Sequence, residues 1–317
     1  MQRRQFTGLL GSALVGAGLS VAALSQAQTR RVELRAGDQK GGLKALLDAA
    51  GESKDLPYDI KWSEFPAAAP LAEALNARAI DFGVIGDAPL LFSLAAGSQV
   101  KAFSVQRSDP YGTAILVRPD SPFKSIHDLK GKSIATNRGS IGHFVALKAL
   151  DAAGLPLDSV QFKFIPPADA KLALTQGAVD AWATWEPYTA LAETSQHARV
   201  LVNGRGLSSG LTFLAATDVA LKEKREALQD FRLRVARAQV WSYRNVDAYG
   251  QTLSKIIGIP VAAAKLQFER RATRWQDIDA QVIADQQRTA DFYVKAGLLK
   301  QRLEVQATFD TGFKALA

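Results

Sequence analysis

Ala79-Ile80-Asp81-Phe82-Gly83-Val84-Ile85-Gly86-Asp87-Ala88-Pro89 decides the fold. Residues 79–84, apolar except for Asp81, read as a buried strand. Gly86 marks a turn, Asp87 fits an N-cap, and Pro89 suits a first helical turn. A strand that hands over to a helix within a few residues is half of a βαβ unit, and the same hand-over recurs along the chain. Upstream, Val32–Gly37 reads as a strand and Gly42–Ala50 as a helix; Asp59–Glu64 reads as a strand and Pro66–Arg78 as a helix. Downstream, the helix opened at Gly86 runs to Ala96, and Val100–Gln106 and Thr113–Val117 are strands. Such alternation predicts a mostly parallel sheet with helices on its faces.

Past Val117 the rhythm restarts. Ser125–Lys132 is a short helix and turn, Ser133–Thr136 a strand, and Arg138–His143 a loop leading into a helix to Ala153. Val160–Ile165, Ala178–Thr184, Arg199–Val202 and Thr212–Ala216 read as strands, and Asp169–Gln176 and Pro187–Thr194 as helices. From Val219 the chain is nearly all helix, broken at Gly258-Ile259-Pro260 and Thr273-Arg274-Trp275. Two α/β units and a helical tail predict two lobes, which suits a length of 317 residues.

Composition narrows the chemistry. The chain is 47% hydrophobic and 22% charged, an ordinary globular balance. It has no cysteine, which excludes disulfides, thiol nucleophiles and thiolate metal sites, and its three histidines (His127, His143, His197) lack metal-ligand spacing. We therefore expect no metal and no cofactor, and what is left is either hydroxyl and carboxylate catalysis or no catalytic residue at all. Arg3-Arg4-Gln5-Phe6, the apolar run Leu9–Leu24 and Ser25-Gln26-Ala27 read as an export signal over residues 1–27, with a twin arginine in the position that marks folded-state export. Its removal takes Arg3 and Arg4 and lowers the net charge from +8 to +6. The basic stretch Lys222–Arg237 is laced with Glu223, Glu226 and Asp230, a solvated helix face rather than a nucleic-acid surface, so no nucleic-acid partner is expected.

Three strand-to-helix loops are equipped for an anion: Gly37-Asp38-Gln39-Lys40-Gly41-Gly42, Gly83–Pro89 with Gly86 and Asp87, and Asn137–His143 with Ser140, Gly142 and His143. Helix N-termini offer unpaired N–H groups and a partial positive charge. None of the loops has the Walker A or dinucleotide spacing. Ser140 could add a hydroxyl and His143 a ring N–H, while Arg107 at a strand end could add a full charge. At the end of another predicted strand, Trp182, Trp185 and Glu186 set two indoles beside a carboxylate; core packing is the competing reading of the indoles.

The chain resembles the periplasmic substrate-binding proteins of ABC importers for aliphatic sulfonates, within the wider nitrate, taurine and sulfonate group. Asp38-Gln39-Lys40-Gly41, Glu64-Phe65-Pro66, Leu75-Asn76, Ile80–Gly83, Gly86–Pro89, Asp128–Lys132, Arg138–His143, Pro167–Ala170 and Val179–Tyr188 carry the resemblance. It implies a type II periplasmic-binding-protein fold, two α/β lobes joined by a two-strand hinge, with a helical C-terminal tail. Lobe 1 is then 28–112 plus 212–317, and lobe 2 is 113–211. Gln39, the loop at Gly86-Asp87, the Ser140–His143 loop and the Trp182/Glu186 region are implied to face the cleft. The resemblance also implies a periplasmic monomer that binds a small anionic ligand and serves a permease with its ATPase. Relatives have serines after the first- and third-loop glycines where this chain has Gly42 and Ile141-Gly142, so backbone donors are expected. Taurine, sulfate esters and nitrate remain alternative ligands. A hydrolase using Ser140 and His143 is the alternative of another class, although the pair lacks a third orienting group.

Overall fold

The computed structural model describes residues 31–316, and the expected export signal lies outside them. The chain enters through β1 (Glu33–Gln39), α1 (Leu43–Ala50), β2 (Asp59–Phe65), α2 (Ala68–Asn76), β3 (Phe82–Gly86), α3 (Asp87–Ala95) and β4 (Val100–Arg107). It then crosses to β5 (Ala114–Val117), β6 (Ser133–Thr136), α4 (Ile141–Ala152), β7 (Gln161–Phe164), α5 (Pro167–Thr175), β8 (Ala181–Thr184), α6 (Tyr188–Gln196) and β9 (Arg199–Asn203). It returns through β10 (Leu211–Thr217) and ends in α7 (Asp218–Glu223), α8 (Arg225–Arg244), α9 (Val246–Ile257), α10 (Val261–Arg271), β11 (Arg274–Gln276) and α11 (Ala280–Lys295).

These strands form two sheets, in the orders β2-β1-β3-β10-β4-β11 and β7-β6-β8-β5-β9. Pairing is parallel for β1 with β2 and β3, and for β6 with β7 and β8. The strands adjoining the crossovers and the tail break that pattern: β10 runs antiparallel to β3 and β4, β11 to β4, and β5 to β8 and β9. The expected mostly parallel sheet is thus mixed, because a chain that leaves one sheet at β4 and comes back at β10 must return in the opposite direction. Thr273-Arg274-Trp275, expected as a mere break in the helical tail, contributes the edge strand β11.

Apolar cores cover both faces of each sheet. On the first sheet, α2, α3 and α11 pack on one face, and α1, α8, α9 and α10 on the other. One close approach explains a pair of glycines. Gly37 and Gly83 are opposite partners on β1 and β3. A Cβ on Gly83 would lie 2.9 Å from Leu71, and one on Gly37 would lie 3.2 Å from the same side chain and collide with Ile80. Without those Cβ atoms, the fully buried Leu71 of α2 sits directly on the sheet.

β3 starts at Phe82, not at Ala79, because the preceding residues turn. The buried Asp81 carboxylate holds that turn. It accepts from Arg35 Nη2 at 2.7 Å, Arg35 Nε at 3.1 Å, the Arg35 main-chain N–H at 2.7 Å and Lys224 Nζ at 2.7 Å. Burial disfavours the charged carboxylate, but the bonds from Arg35 and Lys224 outweigh it and hold its pKa below the ordinary value. A depressed folded-state pKa means stability that is present above the unfolded value, near 3.9, and lost as pH falls through the lower folded value. We therefore expect Asp81→Asn to be clearly less stable than wild type in urea at pH 7, with the gap closing as pH falls below 4. A gap that persists unchanged at pH 3 would remove this carboxylate from the acid response.

Candidate functional site

In open α/β sheets the loops beyond the strand carboxyl ends are where ligands bind. Those ends carry Gln39 on β1, Gly86 on β3 and Arg107 on β4. β6 and β8 lead into residues 137–140 and 185–187. Four of these loops start helices, α1, α3, α4 and α6, and in each the chain supplies an acceptor of its own.

At α1 the acceptor is Asp38, whose buried carboxylate takes the N–H groups of Gln39 (2.9 Å), Leu43 (3.1 Å) and Lys44 (2.8 Å). Burial outweighs those bonds and pushes its pKa up to about 6. The sequence offered a signal for this cap, an Asp shortly before a helix, but the glycines around it drew the reading towards an external anion. At α3 the N-cap is Gly86, correcting the assignment of that role to Asp87. Asp87 is the first helical residue; its Oδ1 accepts from Ala88 N–H at 2.7 Å, and its Oδ2 is buried without a partner. Complete burial pushes this carboxyl up to about 7. At α4 the cap is neutral: Ser140 Oγ accepts from His143 N–H at 3.2 Å and donates to Asn137 O at 2.8 Å. Ile141 and Gly142, the first two residues of α4, have no intrahelical acceptor for their N–H groups. Gly142 also meets a packing need, since a Cβ there would lie 2.6 Å from Ala183 O on β8.

His143 is turned inward. Its Nδ1 accepts from Gly139 N–H at 3.3 Å, and its ring stands edge-on to Phe162 and Phe164 at 4.9 and 5.2 Å. Burial, helped by Arg138, lowers its pKa to about 4, so the ring is neutral. The Ser140 and His143 side chains do not bond each other, which leaves the hydrolase alternative without a nucleophile–base pair.

The Trp182/Trp185/Glu186 group divides. Trp182, on β8, is 1% exposed and packs among Ala114, Leu116, Ala135 and Leu174. As a ligand-reading indole it is corrected to core, because its place on the pleat of β8 points it into the helix-covered face of the sheet. Trp185 is half-buried and stands edge-on to Tyr188 at 5.8 Å. Glu186, which precedes a cis peptide to Pro187, is paired with Arg270 Nε of α10 and accepts from Ala190 N–H at 3.0 Å. Arg270 Nη1 also reaches Glu193 at 2.5 Å, and its guanidinium lies 5.4 Å from the Tyr111 ring. Burial moves the Glu186 carboxyl above its ordinary range, with Arg270 pulling the other way. The carboxylate that the sequence sets beside two indoles is therefore already matched by an arginine.

Arg107 stands apart from the rest. It donates to Asp285 Oδ2 at 2.8 Å and to Ser209 O at 3.3 Å, and it lines a 920 Å³ cavity that none of the other nine expected site residues lines. Its neighbour on the strand, Gln106, points to the other face, where it meets Gln239 of α8 and accepts from Arg271 Nη2 at 3.4 Å. No carboxylate among the described residues pairs with Arg271, although its charge is felt by Glu186 and Tyr249. Sequence reasoning missed Arg270 and Arg271. They close a helix more than eighty residues away from Glu186, and nothing local marks them. No cluster of three or more His, Asp or Glu among the described residues is placed to hold a metal ion.

With this geometry in view, comparison with known proteins gives the class: two α/β lobes of the periplasmic-binding type, with the strand carboxyl ends turned to the loops described above. The chain belongs to the NMT1/THI5-like family, whose model matches residues 61–247. An Escherichia coli (strain K12) protein named for aliphatic-sulfonate binding is 35% identical over 279 residues, 86% of this chain and 87% of that one. The alkanesulfonate-binding protein SsuA from Xanthomonas axonopodis pv. citri, bound to MOPS, superposes with a TM-score of 0.81 at 32% identity over 88% of this chain and 98% of its own. The periplasmic aliphatic sulphonate binding protein SsuA of Escherichia coli gives 0.81 at 31% identity, over 89% and 93%.

The division of the two tryptophans has a direct consequence. Trp182→Ala should cost about 3–5 kcal/mol of stability, as for other large core truncations, whereas Trp185→Ala should cost clearly less. Urea denaturation of the two variants checks this, and a mild Trp182→Ala would return that indole to the candidate site.

Proposed function

We propose that this protein is the extracytoplasmic solute-binding component of an ABC importer, capturing an organic sulfonate between lobe 1 (28–112 plus 212–317) and lobe 2 (113–211) and delivering it to a permease and its ATPase. The observation that carries this reading is coextensive likeness: 98% of the length of a relative solved with MOPS, itself an alkanesulfonate, is matched at a TM-score of 0.81. The protein works as a binder without turnover, in the periplasm, after export.

Within that reading the sulfonate oxygens sit at the neutral-capped N-terminus of α4, on the N–H groups of Ile141 and Gly142, with Gln39 and the Gly86 loop opposite. The charge partner is Arg271, whose side chain lies on the Gln106 face of β4 with only a long bond to a carboxamide. Arg107, the cation favoured by sequence, is already committed to Asp285. Trp185 offers the apolar surface for the organic tail.

Selectivity follows from Glu186. An ammonium-bearing sulfonate such as taurine needs a free carboxylate nearby, and Glu186 is held by Arg270. A simple alkyl tail needs none. We expect pentanesulfonate to bind at least about tenfold more tightly than taurine, a preference of about 1.4 kcal/mol, and nitrate to bind more weakly than pentanesulfonate. Arg271→Ala should weaken pentanesulfonate by about one to two orders of magnitude, the size of a charge-assisted hydrogen bond. Isothermal calorimetry measures both. Taurine matching pentanesulfonate would sink the selectivity argument, and an unchanged Arg271→Ala would remove that guanidinium from the site.

A further inference from the structure

The 920 Å³ cavity beside Arg107 is built from both crossovers between the sheets, from α4, and from β11 and α11 of the tail. It is within the size range of small-molecule sites. None of Gln39, Gly86, Ser140, Trp185 or Arg271 lines it, so it is a different place from the loops after β1, β3, β6 and β8, although the loop after β4 borders it. Five cationic side chains border it, Arg107, Lys148, Arg205, Arg274 and Arg288, against two carboxylates, Asp109 and Asp285.

The internal pairing leaves positive charge over. Asp285, almost fully buried, is shared by Arg107 and Arg288 and also accepts from Gln281 at 2.8 Å. Asp109 is taken by Arg205 at 2.7 Å. Arg274 has only the Gln276 carboxamide at 3.3 Å, and Lys148 lies 4.5 Å from the centre of the Phe292 ring and 3.9 Å from Asp151. Phe144 and Phe292, edge to face at 5.6 Å, supply an apolar wall. Ser209 adds a buried hydroxyl with no partner. The Asp285 bonds fix Arg107 and Arg288 before any ligand arrives, which is the preorganisation that an anion site needs.

We propose that this cavity is a second anion site, separate from the sulfonate cleft, and that it takes a compact organic anion carrying at least two negative charges. An excess of three cations over carboxylates is poorly used by a monoanion. The aromatic wall accommodates a short carbon skeleton. The bound anion bridges groups carried by both sheets, since α4 belongs with β6 and α11 packs on the first sheet.

The test uses the whole mature protein with citrate as the probe, at low ionic strength, where charge attraction is least screened. Calorimetry should show citrate binding one to one, with the same affinity whether or not the protein is saturated with pentanesulfonate. Acetate should bind at least about tenfold more weakly. The Arg274→Ser, Arg288→Ser double variant should lose citrate affinity by about tenfold or more while keeping its thermal midpoint and its pentanesulfonate affinity. The proposal is overturned if citrate gives no binding, if it competes with pentanesulfonate, if acetate matches it, or if the folded double variant binds it as wild type does. A protein that binds citrate in this way but not pentanesulfonate would overturn the sulfonate reading and leave the second site standing.

Discussion

The guanidinium of Arg270, shared by Glu186 and Glu193, is the constraint on which the rest of the candidate site depends. Its side chain is only 12% exposed, so the desolvation of a charge has to be offset on the spot, and two carboxylates with a nearby tyrosine face do it. The partners come from three parts of the chain. Arg270 ends α10 in the tail, Tyr111 lies in the outgoing crossover, and Glu186 and Glu193 belong to the segment around α6. One buried charge therefore ties the tail to the second sheet across the connection between them. Severing such a pair leaves an uncompensated buried carboxylate, which costs far more than the pair itself contributes. The same pairing fixes the chemistry of the loop after β8, where an acid that looks free in the sequence is neutralised in the fold.

The N-termini of α1, α3 and α4 form a graded series. A helix start holds about half a positive charge, and any anion nearby competes for it, whether it is a ligand or a side chain. At α1 a buried carboxylate binds three N–H groups and fills the position an external anion would take. At α3 the carboxylate of Asp87 takes one N–H, and its burial pushes it towards the protonated form, so it repels an incoming anion less than a free Asp would. At α4 the cap is a serine hydroxyl with no charge. Three loops that look equivalent as glycine-rich turns thus differ in the property that matters, the net charge remaining at the helix end.

Much of the fold was legible because it rests on local periodicity. The alternation of apolar β runs with helical stretches located all but one of the strands, but the restart after Val117 falls one strand late, since β5 already belongs to the second sheet. What escaped was decided by partners distant in sequence. Ala79–Asp81 reads as β, but the pull of Arg35 and Lys224 on Asp81 makes it a turn. Arg274 follows a helix and carries no strand signal, yet β4 offers a free edge and pairs with it. Trp182 and Trp185 are three residues apart, and only the end of β8 between them separates core from half-buried surface. Asp285 had to be seen beside Arg107 before that arginine could be recognised as already paired.

The pleat of β4 explains how one strand end serves two environments. Successive side chains on a strand point to opposite faces, so Gln106 and Arg107 diverge although they are neighbours. β10 and β11 clamp both residues in register, with Leu211 and Arg274 opposite Arg107, and Thr212 and Trp275 opposite Gln106. The register sends Gln106 towards α8 and Arg271, and Arg107 towards Asp285 of α11. A slip of one residue would exchange them, turning Arg107 away from Asp285 towards α8 and setting a neutral amide in the cationic cavity. Arg274 is at once the residue that closes this register and a cation of the cavity, so the charge on one face and the alignment of the other are set by the same short edge strand.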